Sequence, residues 1–372
     1  MNVPYRRPVP RFSLRRLSLH RPAVLAGAVL ALALAAVLLA IGGLAAPHAA
    51  HAEDSPKARP AGTWTLLMEN DRFANTDRHY THGTRLAWVS DKIGDGPDWV
   101  PNLLNRLYPF ADARAGRIGF ALGQNIYTPE NISLRDPIGN DRPYAGWLYG
   151  AASVHVETRQ TLIGRPFDVL DTVELQLGVI GPLSLAEQTQ KTVHSLINTT
   201  QPRGWSSQLD TEPGIALLAE RKWRTPEMKL AGGIVAVDAI PHLGAALGNV
   251  YTHVNAGTMV RLGRNLSFDY GPPHIQPALS GLEAVDSGGA LGWYLFAGIE
   301  GRAVGRNIFL DGSTFSDSLH VDKNPFVGDF QAGAAIIYNG WRVAFSHVIR
   351  TREFENQKEP DRYGAISLSM RF

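Results

Sequence analysis

The sequence predicts an all-β fold: a transmembrane antiparallel up-and-down β-barrel of about 12 strands, with a helix in one extracellular loop. Three observations point to it. The N-terminus has the layout of an export signal. The remainder is built from segments of about ten residues in which apolar and polar side chains alternate. The last such segment ends the chain on a phenylalanine, Phe372.

Arg6, Arg7, Arg11, Arg15, Arg16 and Arg21 form a basic start, residues 23–46 an apolar run, and Ala50-His51-Ala52 a small-residue cleavage site. That order is expected of a signal peptide over 1–52, leaving a barrel domain over 53–372. An uncleaved helical anchor is the alternative, because the run is long enough to span a bilayer. Beyond residue 53 no stretch approaches 18 consecutive apolar residues.

Composition narrows the classes. Lys+Arg total 36 against 34 Asp+Glu, a net charge of +2 over 372 residues, so no nucleic-acid partner is expected. The absence of cysteine excludes disulfides and thiolate-held zinc or iron–sulfur clusters.

In the final segment, Ile366, Leu368, Met370 and Phe372 share one face, and Ser367, Ser369 and Arg371 the other. The last strand of a soluble sandwich would alternate in the same way; with the export signal, the barrel is preferred. Alternation and turn residues mark strands near 63–70, 79–90, 116–127, 145–158, 169–180, 213–223, 228–238, 250–263, 290–303, 327–338, 341–351 and 362–372. Asn339-Gly340 reads as a tight hairpin turn. An even count brings both ends to the periplasmic side, so 71–78, 128–144, 181–212, 239–249, 304–326 and 352–361 are expected outside. Two inner connections, 91–115 and 264–289, are long for that side; the first accommodates a short helix around 100–107. Trp64, Trp88, Trp147, Tyr149, Trp223, Trp293 and Trp341 are expected in the interfacial aromatic belt.

The third outer segment is distinctive. After Gly181-Pro182, residues 184–197 hold good helix formers without Gly or Pro. Ser184 and Glu187 have the spacing of a capping box, and Gln190 and His194 that of neighbours on one helix face. A neutral imidazole there can act as general base. The first hairpin offers Glu69, Asn70, Asp71, Asp77 and Thr81 as oxygen donors, which suit Ca²⁺ better than a transition metal; a merely polar turn would have the same composition. With no thiol and no Gly-x-Ser-x-Gly elbow, water activated by histidine and a carbonyl polarised by a cation make a hydrolytic pair.

At these residues the chain resembles the outer-membrane lipid A 3′-O-deacylases. The resemblance rests on Glu69-Asn-Asp71 with Thr76-Asp77, Tyr80-Thr81-His-Gly83, Gly123-Gln-Asn-Ile-Tyr-Thr-Pro129 and Asn140-Asp-Arg-Pro-Tyr-Ala-Gly-Trp147. It continues through Gly178-Val-Ile-Gly-Pro182, Glu187-Gln188, Gln190, His194, Gly204-Trp205, Gln208-Leu209 and Phe309-Leu-Asp-Gly312. It implies a twelve-stranded barrel with a calcium-dependent site between the wall and an outer-loop helix. His194 resembles the family's base, with Gln190 beside it; Asn70 and Asp71 its cation-binding and positioning pair; and Thr81 a residue lining the site. Three positions depart from the family pattern. Thr200 stands where one branch has a functional Glu, Leu134 where a basic residue is usual, and His82 where the hairpin motif has Asn. Arg135, next to Leu134, is then the implied phosphate contact. Arg142 is either a second phosphate contact or a structural residue of its turn, paired with Asp141 or Asp77.

The implied function is hydrolysis of the 3′-acyloxyacyl ester of lipid A, in lipopolysaccharide of the outer leaflet of the bacterial outer membrane, by a monomer whose site faces the cell exterior. A catalytically silent lipid-binding barrel and a phospholipase or esterase barrel of another kind are the alternatives; the His-x-Ser-Asn-Gly motif of phospholipase A1 barrels is absent.

Overall fold

The computed structural model describes residues 62–74, 79–91, 116–136, 139–275 and 290–372. The expected signal peptide, the short helix expected around 100–107, Thr76 and Asp77 lie outside the described residues.

One antiparallel sheet holds β1 (Gly62–Asn70), β2 (His79–Ser90), β3 (Gly116–Thr128), β4 (Ala145–Leu162), β5 (Arg165–Ile180), β6 (Glu212–Arg224), β7 (Met228–Leu230), β8 (Val235–Gly248), β9 (Tyr251–Arg264), β10 (Gly292–Asn307), β11 (Phe326–Tyr338), β12 (Trp341–Arg350) and β13 (Asp361–Arg371). Neighbours in sequence pair around the sheet, β1 pairs with β13, and β6 with β8. The sheet therefore closes into a barrel of twelve staves; β7 only extends the base of β8, through Met228–Val237 and its two neighbouring pairs. No helix of the described residues is long and apolar enough to cross a membrane, and the crossing elements are strands.

Alternation sorts the side chains inside out, as a barrel wall in lipid requires. On β13, Ser367 and Ser369 are buried in the lumen while Ile366 is exposed on the outer face. Lumen positions carry ion pairs such as Arg85–Glu174 and Arg350–Asp329. Closure also removes the unpaired sheet edges that lipid could not hydrate.

Three expectations are corrected. The seventh stave runs from Val235 to Gly248, not over 228–238, so most of the loop expected at 239–249 is strand and only Asn249-Val250 turns. Its face alternation is carried largely by Ala and Gly, with Pro241 in the middle, and these residues resemble a loop in sequence. Trp147 and Tyr149 do not belong to the outer belt. They are buried in the lumen, stacked on each other with ring centroids 5.3 Å apart. Ser184 does not cap the loop helix: α1 spans Ala186–Leu196, its N-cap is Leu185 in the left-handed region, and the Ser184 hydroxyl turns back to donate to Gly181 O. Gly181-Pro182 starts a 3-10 turn at Pro182–Ser184, which absorbs the serine before the helix begins.

The lumen is filled. From the end of β9, residues 265–275 run up the inside of the barrel. Asp269 accepts from Arg261 Nη1 at 2.6 Å, Arg342 Nη1 at 3.1 Å and Tyr294 OH at 2.8 Å. Ile275 N donates to Glu69 Oε1 at 2.9 Å, near the far end of β1. The long connection at 264–289 is thus, in its described part, an internal plug. At the loop end, the short helix α2 (Ile308–Asp311) stacks Phe309 on Tyr127 with centroids 4.0 Å apart, and Tyr127 OH meets Tyr251 OH at 3.1 Å.

Candidate active site

The cross-strand register sets one row of residues on the outer wall: Gly146 of β4 opposite Ile126 of β3, Ile126 opposite His82 of β2, and His82 opposite Asn70 of β1. Their sequence neighbours Trp147, Tyr127 and Glu69 face the lumen, so this row faces away from it. The start of α1 lies against this row. A Cβ at Gly146 would collide with Ser184 Oγ and Ala186 Cβ, so glycine permits the close approach. Ile126, Ile132, Tyr144, Ala186 and Trp205 form the apolar seam beneath the loop, and Gln124 Nε2 donates to Ser184 O at 2.6 Å.

Gln190 and His194 are both buried on the same face of α1, as their spacing predicts. His194 Nδ1 lies 2.6 Å from Thr200 O. A peptide carbonyl only accepts, so Nδ1 carries the proton and Nε2 keeps its lone pair for another proton. The position where part of the family has a carboxylate thus orients His194 through its backbone, with the Thr200 side chain exposed. Thr200→Ala is expected to leave this hydrogen bond in place, because the bonded group is the main-chain oxygen; loss of the His194 Nδ1–H proton signal from the variant's NMR spectrum would show that the side chain takes part. Gln190 Oε1 accepts from Trp205 Nε1 at 2.8 Å.

The hairpin after β1 meets the end of α1. Arg72 Nη1 donates to Thr199 Oγ1 at 2.8 Å, and Thr199 N donates to His194 O at 2.9 Å. This joins Asn70, Asp71 and Arg72 to the turn that follows α1, and through it to the main chain of His194. Asp71 is buried; Asn70 Oδ1 accepts from Arg72 N at 2.9 Å, and Asn70 Nδ2 reaches His82 Nδ1 at 3.2 Å. The histidine that replaces the usual Asn of the hairpin motif therefore supports Asn70. Thr81 occupies a register shift between Tyr80 and His82, where its hydroxyl meets Thr128 Oγ1 at 2.7 Å. Such bulges re-aim a side chain without breaking the sheet.

Glu69, a possible oxygen ligand by sequence position, faces the other way. Its carboxylate accepts from Tyr80 OH at 2.7 Å and from the plug, inside the lumen. Arg142 is also withdrawn from the outer surface. It is fully buried over the Tyr127 ring at 4.8 Å, and its Nη1 donates to Glu353 Oε2 at 3.2 Å, in place of the expected side-chain pair with Asp141. Asp141 instead accepts from the Arg142 and Glu130 backbone amides. Burial alone would raise the Glu353 carboxyl, but Arg350 and Arg142 outweigh it and hold it below the ordinary glutamate range. Arg135 is exposed on the 129–144 loop.

No three His, Asp or Glu side chains converge as metal ligands among the described residues. Asp71 and Asn70 supply one buried carboxylate and one amide oxygen. Those hard donors fit Ca²⁺ with much of its shell left to other oxygens, and low ligand charge makes for weak retention.

The family model described as "Outer membrane protein LpxR" matches residues 32–372. The chain belongs to the LpxR family. LpxR from Salmonella typhimurium is similar in structure, with a TM-score of 0.66 at 20% identity, covering 83% of this chain and 100% of that one. The β domain of the Bordetella autotransporter BrkA aligns at TM-score 0.38 and 8% identity over 84% of this chain and 100% of its own. The KdgM porin, solved with disordered oligogalacturonate, aligns at 0.34 and 5% over 84% and 99%. No curated protein matches the chain. Membership of the LpxR family makes it an outer-membrane β-barrel of the lipid A deacylase type. Trp205 had only a motif position in the sequence; it is the one large aromatic between 181 and 212, which is the signal that the loop folds back on itself.

Proposed function

We propose that this LpxR-family barrel hydrolyses the 3′-acyloxyacyl ester of lipid A, working as a monomer at the outer face of the outer membrane. The observation that carries the proposal is His194: buried on the wall-facing side of α1, fixed at Nδ1 by Thr200 O, and tied through Thr199 and Arg72 to the Asn70-Asp71 hairpin. His194 Nε2 accepts a proton from water as the water oxygen bonds to the ester carbonyl carbon. The tetrahedral adduct then collapses; the C–O bond to the sugar breaks, and the proton held at Nε2 goes to the departing 3′ oxygen. The products are a free acyloxyacyl acid and a 3′-hydroxyl.

Asp71 and Asn70 would hold Ca²⁺, which when bound supplies positive charge to the developing oxyanion. Arg135, exposed on the 129–144 loop, is the remaining candidate for a lipid A phosphate; Arg142 is committed to Glu353.

Purified, detergent-folded protein incubated with lipid A in Ca²⁺ is expected to release the 3′-acyloxyacyl mass, read by mass spectrometry, and EDTA to stop the release. Loss of a different acyl chain would overturn the regiochemistry, and equal release in EDTA would overturn the calcium requirement. No release by a barrel that keeps its heat-modifiable gel shift would favour the silent lipid-binding barrel.

A further inference from the structure

Gln190 leaves one group unexplained. Its Nε2 is shut off from solvent and has no hydrogen-bond partner among the described residues. A buried amino group without a partner is destabilising, so its persistence calls for a reason. Its orientation is chemically fixed. An indole nitrogen can only donate, so the atom 2.8 Å from Trp205 Nε1 must be the Gln190 oxygen, and the amino group is turned away from the indole. Trp205 is itself locked: it is buried in the 3-10 turn Trp205–Ser207, with its ring 4.9 Å from that of Tyr144. Gln190 lies one helical turn before His194 on the same buried face.

We infer that Gln190 Nε2 is the protein's own hydrogen-bond donor to the ester oxyanion, and that Trp205 is the positioning residue that holds it there. This rests on the deacylase function proposed above. As the water oxygen bonds to the carbonyl carbon and its proton passes to His194 Nε2, the carbonyl π pair moves onto oxygen. That oxygen accepts from Gln190 Nε2, and the bond is released when the pair returns and the sugar oxygen leaves with the proton. The indole sets the orientation of this donor beforehand, and such donors act most strongly where charge develops; because Nε2 is covered in the free protein, bound substrate displaces its covering contacts before the bond forms. Trp205 contributes only through the Gln190 amide.

The test uses the full barrel in detergent with three variants: Gln190→Met, which removes the donor without adding charge; Trp205→Phe, which removes the indole N–H but keeps an aromatic ring; and the double variant. Each is first checked for a heat-modifiable gel shift. Gln190→Met is expected to lower kcat about 10²–10³-fold at nearly constant KM. Trp205→Phe is expected to lower kcat about tenfold. In the Gln190→Met background it should cost nothing more, because the group it positions is gone. Hexadecyl methylphosphonate, an anionic tetrahedral mimic, should bind Gln190→Met at least about tenfold more weakly than the unaltered protein. The inference is overturned if Gln190→Met keeps its kcat, if Trp205→Phe costs the same factor in both backgrounds, or if phosphonate affinity is absent or unchanged. His194→Ala runs alongside. If it stays active, or if the unaltered protein releases no acyl chain, the deacylase reading falls by itself, and the phosphonate comparison still decides the role of Gln190.

Discussion

His194→Ala is expected to slow lipid A deacylation by about 10²–10⁴-fold, the range that a positioned general base contributes. The loss should fall on kcat, since an imidazole acting on water has no large part in holding acyl chains. The barrel should survive the change. His194 stands on α1, outside the closed sheet, and its described side-chain hydrogen bond is the one from Nδ1 to Thr200 O. The variant should therefore keep the heat-modifiable gel mobility of the unaltered protein. Mass spectrometry of lipid A sampled over time gives the rate; activity within about tenfold of the original in a folded variant would remove His194 from the role of base.

Asp269→Ala should have the largest effect on stability. One carboxylate of the plug serves two buried wall guanidinium groups, Arg261 and Arg342, and the Tyr294 hydroxyl. Its removal leaves two cations short of an anion in the lumen, and breaking a buried pair from one side costs about 3–5 kcal/mol. Asp238 still pairs with Arg261 at Nη2, so Arg342 bears more of the loss. A lower temperature for converting the folded to the unfolded gel band would report it. The same carboxylate sets a pH dependence. Burial alone would raise Asp269, but Arg261 and Arg342 outweigh it and hold it below the ordinary aspartate value. A folded pKa below the unfolded one means that the stabilisation is complete above about pH 4, and is lost as pH falls through the depressed folded value. The acid sensitivity should therefore be blunted in Asp269→Ala, and an identical acid profile in both proteins would count against the plug's part in it.

Much of the wall was legible because it obeys a two-residue period. β1, β2, β3, β11, β12 and β13 fall within one or two residues of where alternation puts them. The period fails in β8, where Ala, Gly and Pro carry little contrast between faces. It is also blind to direction: a barrel can hold Trp147 and Tyr149 in its lumen as readily as it sets Trp64 outside. The plug has no periodicity at all, since the arginines that hold it, Arg224, Arg261 and Arg342, come from three different strands. In the candidate site, helix spacing alone brings Gln190 and His194 together. The Thr200 contact was hidden because a main-chain carbonyl leaves no trace in residue identity. Arg142 misled for the converse reason: an arginine beside a turn resembles an anion contact until the partner from a distant loop, Glu353, is seen.

The position of α1 on the outside of a closed wall bears on how rate should be measured. A catalyst whose cleft opens sideways from the barrel meets its substrate within a film, not in bulk solution. The relevant concentration is molecules per unit area, so diluting lipid A with inert detergent at constant total amount should slow turnover as surely as removing it.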